Sequence, residues 1–314
     1  MQKHDEALAH AKQVLEIAPT ASHYDQVGDI HLQADDVQAA LAYYEKALEQ
    51  DAKNYGILLK LSILYYQTGQ LEQAKKGFNN LFAVDRTNSE YLYYLGLIYN
   101  AEEKYDKAVV YLQLSLDQDS DNFRARELLG DIYQKKRLPS QALNEFNNAI
   151  LFLSDKVQED PDLKRELANI YNKVGVLWLK KAISVKDVGG TIISNAVAAF
   201  EKAITLVPDA MALRQNVAKA YLLKGDNEQA IAAYEEAMKL EPQNAALYMD
   251  VAGIYLDKLK NRTEAYLVLK QGYERGAKDC EFLRRLMYQA QLYREAPEIL
   301  NRYQQTFSEQ NCQE

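Results

Sequence analysis

Cysteine is nearly missing from this chain: of 314 residues, only Cys280 and Cys312 carry a thiol. Two are too few for a disulfide framework and their spacing fits no metal site, so a reducing compartment is the default expectation. Long apolar runs are missing as well. Nothing approaches the ~18 to 20 apolar residues of a membrane span. The opening Met1-Gln2-Lys3-His4-Asp5-Glu6 lacks the apolar stretch of a secretory signal, so the chain as written is expected to be soluble and cytoplasmic. Positive charge is short too, with 37 Lys and Arg against 45 Asp and Glu and a net charge of -8. A protein that gains from releasing counterions on nucleic acid needs the opposite balance. The one basic run, Lys135-Lys136-Arg137, reads as a solvated helix end. With 6 prolines, 13 glycines, 48% apolar and 26% charged residues, the chain suits a well-buried, helix-rich protein.

What is present is a period. Gly28, Ser62, Gly96 and Gly130 fall 34 residues apart, and so do Ala40, Ala74, Ala108 and Ala142. Two further rows keep the interval: Tyr44, Phe78, Leu112 and Phe146, and Val27, Leu61, Leu95 and Leu129. After residue 210 the pattern returns in Ala218, Tyr221, Ala230, Tyr234, Ala237 and Pro242. Turn chemistry is in phase, with Thr68-Gly69, Gln134-Lys135-Lys136 and Lys224-Gly225-Asp226 placed between helices and Pro208 and Pro242 between units. Small residues let two antiparallel helices approach closely, and the aromatics fill the space beside them.

With Tyr94-Leu95-Gly96-Leu97-Ile98-Tyr99 followed by Ala108, the chain resembles the tetratricopeptide repeat proteins, whose units pair two helices in 34 residues. The resemblance implies an all-α fold: a right-handed superhelical solenoid of antiparallel helix pairs, about seven full repeats plus an N-terminal half-repeat. Residues 1–20 are the half-repeat or a cap helix, since Ala7, Val14 and Pro19 match a second helix whose first is absent. Either the natural chain continues upstream or this helix is a cap. Residues 21–156 hold four regular units, 157–210 an expanded unit, 211–279 two more, 280–307 a degenerate capping pair, and 308–314 a polar tail. In the expanded unit a long first helix starts near Asp160-Pro161 and ends before the loop Val188-Gly189-Gly190-Thr191. That paired glycine lacks the downstream Lys and Ser or Thr of a phosphate loop.

Chemistry is sparse. The histidines His4, His10, His23 and His31 crowd the first tenth of the chain, but ligands must converge on one point, and His31 occupies the buried Tyr position of its unit. A core histidine with one satisfied nitrogen is the better reading. Acid pairs Asp35-Asp36 and Glu102-Glu103 fall in inter-helix turns, where carboxylates are expected to be solvated. Asn261-Arg262-Thr263 matches a glycosylation sequon, a pattern that chance supplies often. No nucleophile-elbow, zincin, Walker or dinucleotide motif occurs, so neither enzyme activity nor a cofactor or metal is expected.

In the resembled family, the first helix of each pair lines a concave groove through one helical stripe. That implies a peptide-binding groove of Asp25 and Asp29, then Leu59, Ile63 and Tyr66, then Tyr93, Leu97 and Asn100, then Arg124, Glu127 and Asp131, with Asn169 and Asn172 in the expanded unit. The groove opens acidic and becomes apolar. A non-catalytic scaffold is expected, holding an extended peptide or helix with apolar anchors and a basic flank. Two alternatives stand beside it: self-assembly through terminal helices carrying Leu8 and Leu15, and a regulatory arm of a larger multidomain protein.

Overall fold

The computed structural model describes residues 2–158, 160–187 and 190–312, with side chains from residue 6 onward. Val188 and Gly189 of the expanded loop, and the His4 side chain, lie outside these. Among the described residues the chain is built of seventeen α-helices and one π turn, with no strand. It divides into two compact units after Phe152. The first holds α1 (Gln2–Ile17), α2 (Ala21–Gln33), α3 (Val37–Gln50), α4 (Tyr55–Gln67), α5 (Leu71–Val84), α6 (Ser89–Ala101), α7 (Tyr105–Gln118), α8 (Phe123–Lys135) and most of α9 (Pro139–Ser154). The second holds α10 (Pro161–Val185), α11 (Thr191–Leu206), α12 (Met211–Lys224), α13 (Asn227–Leu240), α14 (Ala245–Gly253), the π turn Ile254–Lys258, α15 (Arg262–Glu274), α16 (Cys280–Tyr293) and α17 (Pro297–Glu309).

Local chemistry starts and turns the hairpins at the same period. Thr20, Asn54, Asn88 and Asn122 are the N-caps of α2, α4, α6 and α8, and each side chain accepts a backbone N–H in the first turn of its helix. Such caps each contribute roughly 1 kcal/mol by satisfying a donor the helix cannot. The turn inside each hairpin places one residue at positive φ: Asp35, Gly69, Glu103 and Arg137, again in register. Only one of the four is glycine, so the turn tolerates strain that glycine would avoid.

Packing then closes each hairpin. Ala40, Ala74, Ala108 and Ala142 are fully buried, as are Tyr44, Phe78, Leu112 and Phe146. The glycine row explains the fit. A Cβ added at Gly28 would lie 2.7 Å from the Tyr44 ring, at Gly96 2.6 Å from Leu112, and at Gly130 2.5 Å from the Phe146 ring. In the second hairpin Ser62 stands in the glycine row, and the facing helix gives way instead: a Cβ on Gly77 would overlap the Ser62 hydroxyl, which donates to the Leu58 carbonyl at 2.6 Å. In the hairpin of α14 and α15 the roles reverse, with Gly272 beneath the Tyr248 ring.

Two irregularities have sequence causes. Gly175 packs under Phe200, the same contact as Gly130 with Phe146, but with nine more residues between the partners. Most of the excess lengthens α10 to 25 residues, and the Asp187 carboxylate caps α11 by accepting from the N–H groups of Ile192 at 2.7 Å and Ile193 at 3.0 Å. The second irregularity is one residue. Ala252 and Ala265 are one position further apart than Ala218 and Ala230, and the π turn after α14 absorbs the addition, as π turns do when a helix gains a residue.

Two expectations are corrected. Cys280 and Cys312 are joined in a disulfide, with Cα atoms 5.5 Å apart, so two cysteines that cannot make a framework still make one bridge. Glu102 is not a solvated turn carboxylate: its side chain is only 12% exposed, and it pairs with Lys75 at 2.6 Å and Lys104 at 2.8 Å. Asp36 is exposed, as its turn position leads one to expect; it caps α3 by accepting from the Ala39 N–H and also pairs with His31 Nδ1 at 3.0 Å. His31 is buried against the Tyr43 ring, and its Nε2 has no partner among the described residues.

Glycine substitutions separate packing from helix propensity. Alanine in a helix interior is favoured over glycine by about 1 kcal/mol. Gly253→Ala, where a Cβ meets nothing within 4 Å, is expected to raise stability by about that amount. Gly130→Ala is expected to lower it by ~1 to 2 kcal/mol because overpacking against Phe146 outweighs propensity. Denaturant midpoints of the two variants should therefore move in opposite directions from wild type.

Candidate functional site

The wall formed by the first helices of the N-terminal unit is stitched by contacts that cross from one repeat to the next. Lys60 of α4 reaches back to α2, where its Nζ donates to Asp29 at 2.8 Å and to Asp25 at 2.9 and 3.1 Å, while the Tyr44 hydroxyl donates to Asp29 at 2.7 Å. Burial alone would lower the Lys60 pKa, but hydrogen bonds to Asp29 and Asp25 and their charges outweigh it and raise the value. The acidic opening read at Asp25 and Asp29 is therefore half-neutralised from within. Two repeats later a similar cross-repeat contact recurs, with Lys135 Nζ of α8 3.4 Å from Asn100 of α6.

Between these links lies an aromatic and aliphatic surface. Tyr94 stacks on Phe78 with centroids 4.7 Å apart, and Tyr66 and Tyr93 meet Tyr94 edge-on at 5.9 and 5.8 Å. Leu59, Ile63 and Tyr66 pack against the core formed by Ala74, Phe78, Leu81, Leu95 and Ile98. All five apolar stripe residues, Leu59, Ile63, Tyr66, Tyr93 and Leu97, are half-buried. Burial pushes the Tyr93 hydroxyl up to about 12, against the opposing charge of Arg124, so the phenol stays neutral at physiological pH. Arg124 on α8 is exposed, while Glu127 and Asp131 on the same helix are half-buried. Asn169 and Asn172 belong to α10 in the second unit, where Asn172 accepts from Asn216 Nδ2 at 2.8 Å.

Sequence reasoning missed Lys60, Tyr94 and Lys135. The signal was available: Lys60 with Asp25 and Lys135 with Asn100 are both 35 residues apart, one more than the repeat, which sets complementary groups side by side on adjacent first helices.

A run of helix pairs with caps, turns and small-on-large contacts at one interval is the architecture of a known family. Family models described as tetratricopeptide repeat match residues 31–96 and 89–122, and one described as TPR repeat matches 218–258. The chain is a tetratricopeptide repeat protein. It is 30% identical over 139 residues to an uncharacterized protein, ycf37, of Cyanophora paradoxa, covering 42% of this chain and 73% of that one. Over 208 residues it is 25% identical to protein O-mannosyl-transferase TMTC1 of Homo sapiens, covering 66% of this chain but only 22% of that one. Among solved structures, the C-terminal part of a TPR repeat-containing protein from Cytophaga hutchinsonii shares the fold with a TM-score of 0.62 at 15% identity, covering 82% of this chain and 98% of that one. No helix among the described residues of this tetratricopeptide repeat protein is long and apolar enough to cross a membrane.

The charge around Glu102 gives a pH test. Hydrogen bonds to Lys104 and Lys75 and their charges hold its carboxyl below the ordinary glutamate range. A depressed folded value means that the stabilisation is present above the unfolded pKa, about 4.3, and is lost as pH falls through the lower folded value. Glu102→Gln should therefore lose less stability than wild type on acidification from pH 5 to pH 3. Equal acid limbs in the two chains' denaturation midpoints would show that the pair contributes nothing.

Proposed function

We propose that this tetratricopeptide repeat protein is a non-catalytic scaffold whose first-helix wall in the N-terminal unit docks an extended peptide or a helix of a partner protein. The observation that supports the reading most is the state of Leu59, Ile63, Tyr66, Tyr93 and Leu97. Each hairpin core closes without the outer part of these side chains, so the wall retains apolar area that a partner can cover. Half-burial also fixes their rotamers against Tyr94 and Phe78, which lowers the ordering cost of association. The partner presents apolar anchors. A basic flank is the weaker part of the reading, because Lys60 already sits between Asp25 and Asp29. Asn100, Arg124, Glu127 and Asp131 form the polar rim of this wall, and Asn169 and Asn172 lie on α10 of the second unit.

A photo-crosslinking residue at Tyr93 is expected to capture a partner in cells, whereas the same residue at Val110, 53% exposed on the second helix α7, is not. Leu59→Ser with Tyr93→Ser should abolish capture of that partner in pulldown while far-ultraviolet circular dichroism stays unchanged. Capture that survives in the folded double variant would remove this wall from the reading.

Self-assembly is the second reading, favoured by α1, where Val14 is 43% and Ile17 85% exposed. It predicts that light-scattering mass rises with concentration and that Ile17→Lys reverses the rise; a constant monomer mass rules it out. The third, an arm of a larger catalytic protein, draws on the likeness to the mannosyl-transferase, of which the chain spans 22%.

A further inference from the structure

The disulfide belongs to the second unit and ties the open ends of the helix pair α16 and α17. It joins Cys280, the first residue of α16, to Cys312, three residues past the end of α17, across a sequence separation of 32. Both cysteines are half-buried. The preceding second helix, α15, is packed along its length through Ala265, Tyr266, Leu269, Gly272 and Tyr273. In α17 only Tyr303, Thr306 and Phe307 are buried.

The remaining grip on α17 is local. Tyr303 meets Tyr273 edge-on with centroids 4.8 Å apart, the hydroxyls of Tyr273 and Thr306 lie 2.7 Å apart, and the Arg284 guanidinium lies 5.6 Å from the Phe307 ring centroid. Between α16 and α17 an open cleft of about 650 Å³ runs past Met287, Leu300, Phe307 and Cys312. A 13-residue helix is marginal by itself in water, and ordering each residue costs about 1 to 2 kcal/mol of backbone entropy. Apart from the disulfide, α17 is held by three buried side chains and by the half-buried Ile299 and Leu300 beside the open cleft. A covalent tie at its far end adds to these contacts, because it removes the open arrangements in which the helix end is free.

We propose that the Cys280–Cys312 bond is a redox latch on the last described helix pair, which holds α17 against α16 when oxidised and releases it when reduced. In closing, each thiol gives up its proton and the two sulfurs bond, while two electrons pass to a disulfide donor such as oxidised glutathione, which becomes two thiols. In opening, a dithiol reductant delivers two electrons and two protons, the sulfur–sulfur bond breaks, and the reductant becomes the disulfide. The rest of the second unit does not depend on the bond, since Phe282, Leu283, Leu286 and Ala290 keep α16 buried against the preceding helices.

Native-state hydrogen exchange on the full chain, incubated with oxidised glutathione or with dithiothreitol, tests the latch, with thiol titration counting the state reached. Oxidised chain should show no free thiol and protected α17 amides. Reduced chain should show two thiols and a loss of protection on the order of a hundred-fold confined to α17 and the segment beyond it. Cys280→Ser and Cys312→Ser should each match the reduced pattern in either reagent. Two thiols persisting under oxidised glutathione, or α17 protection equal in both states, would overturn the proposal. A loss of protection spread over α10 to α16 would overturn it as well, since the bond would then be a staple of the whole unit.

Discussion

Most of the described hairpins rest on one contact: a position without a side chain, or nearly so, beneath a side chain of the facing helix. Gly28 under Tyr44, Gly96 under Leu112, Gly130 under Phe146 and Gly175 under Phe200 are versions of one interaction. It sets how close the two helices lie, and that distance determines which other side chains of the pair can close the core. Where the contact is altered, a second residue compensates. Ser62 replaces glycine and Gly77 makes room; Tyr248 supplies the ring from the first helix and Gly272 supplies the gap from the second. Such swaps show that the constraint is on the summed volume at the crossing, not on the identity of either residue.

The fold was legible because this contact leaves a strong trace. Alanine at 40, 74, 108 and 142, and a large apolar residue at 44, 78, 112 and 146, are demanded by sterics and therefore repeat. The surroundings of the candidate site residues were legible only in part. The stripe rule placed Leu59, Tyr66 and Tyr93 on one wall, but it assigned Asp25 and Asp29 to an open acidic mouth, because a stripe on one helix says nothing of a side chain arriving from the next. Lys60 lies off the stripe and reaches it across the helix boundary. Glu102 failed for a similar reason: its turn position predicts exposure, but lysines from two places converge on it. The disulfide was hidden differently, since a separation of 32 residues carries no signal until two helices fold back and bring the ends together.

Departures from the period are informative because the repeat tolerates them only in certain places. One extra residue becomes a π turn at the end of a first helix, and nine extra residues become a longer helix and a loop capped by Asp187. Neither enters the crossing itself, where Ala252 with Ala265 and Gly175 with Phe200 keep their packing. Additions at hairpin tips cost little closure entropy, whereas additions at the crossing would turn every later side chain out of register.

The same separation divides core positions from wall positions along the first helices of the N-terminal unit. At fixed phase the core rows are chemically uniform, but the wall rows are not: Asp25, Leu59, Tyr93 and Glu127 occupy one phase, and Asp29, Ile63, Leu97 and Asp131 another. Both rows run acid, apolar, apolar, acid. A position that sterics dictates must repeat its chemistry with the period; a position that sterics leaves free can vary, and here two neighbouring rows vary together. The wall therefore has an apolar centre two repeats wide between more polar edges. Its width is set by the spacing of the helices, while its content is set by residues on which the hairpins themselves make no demand.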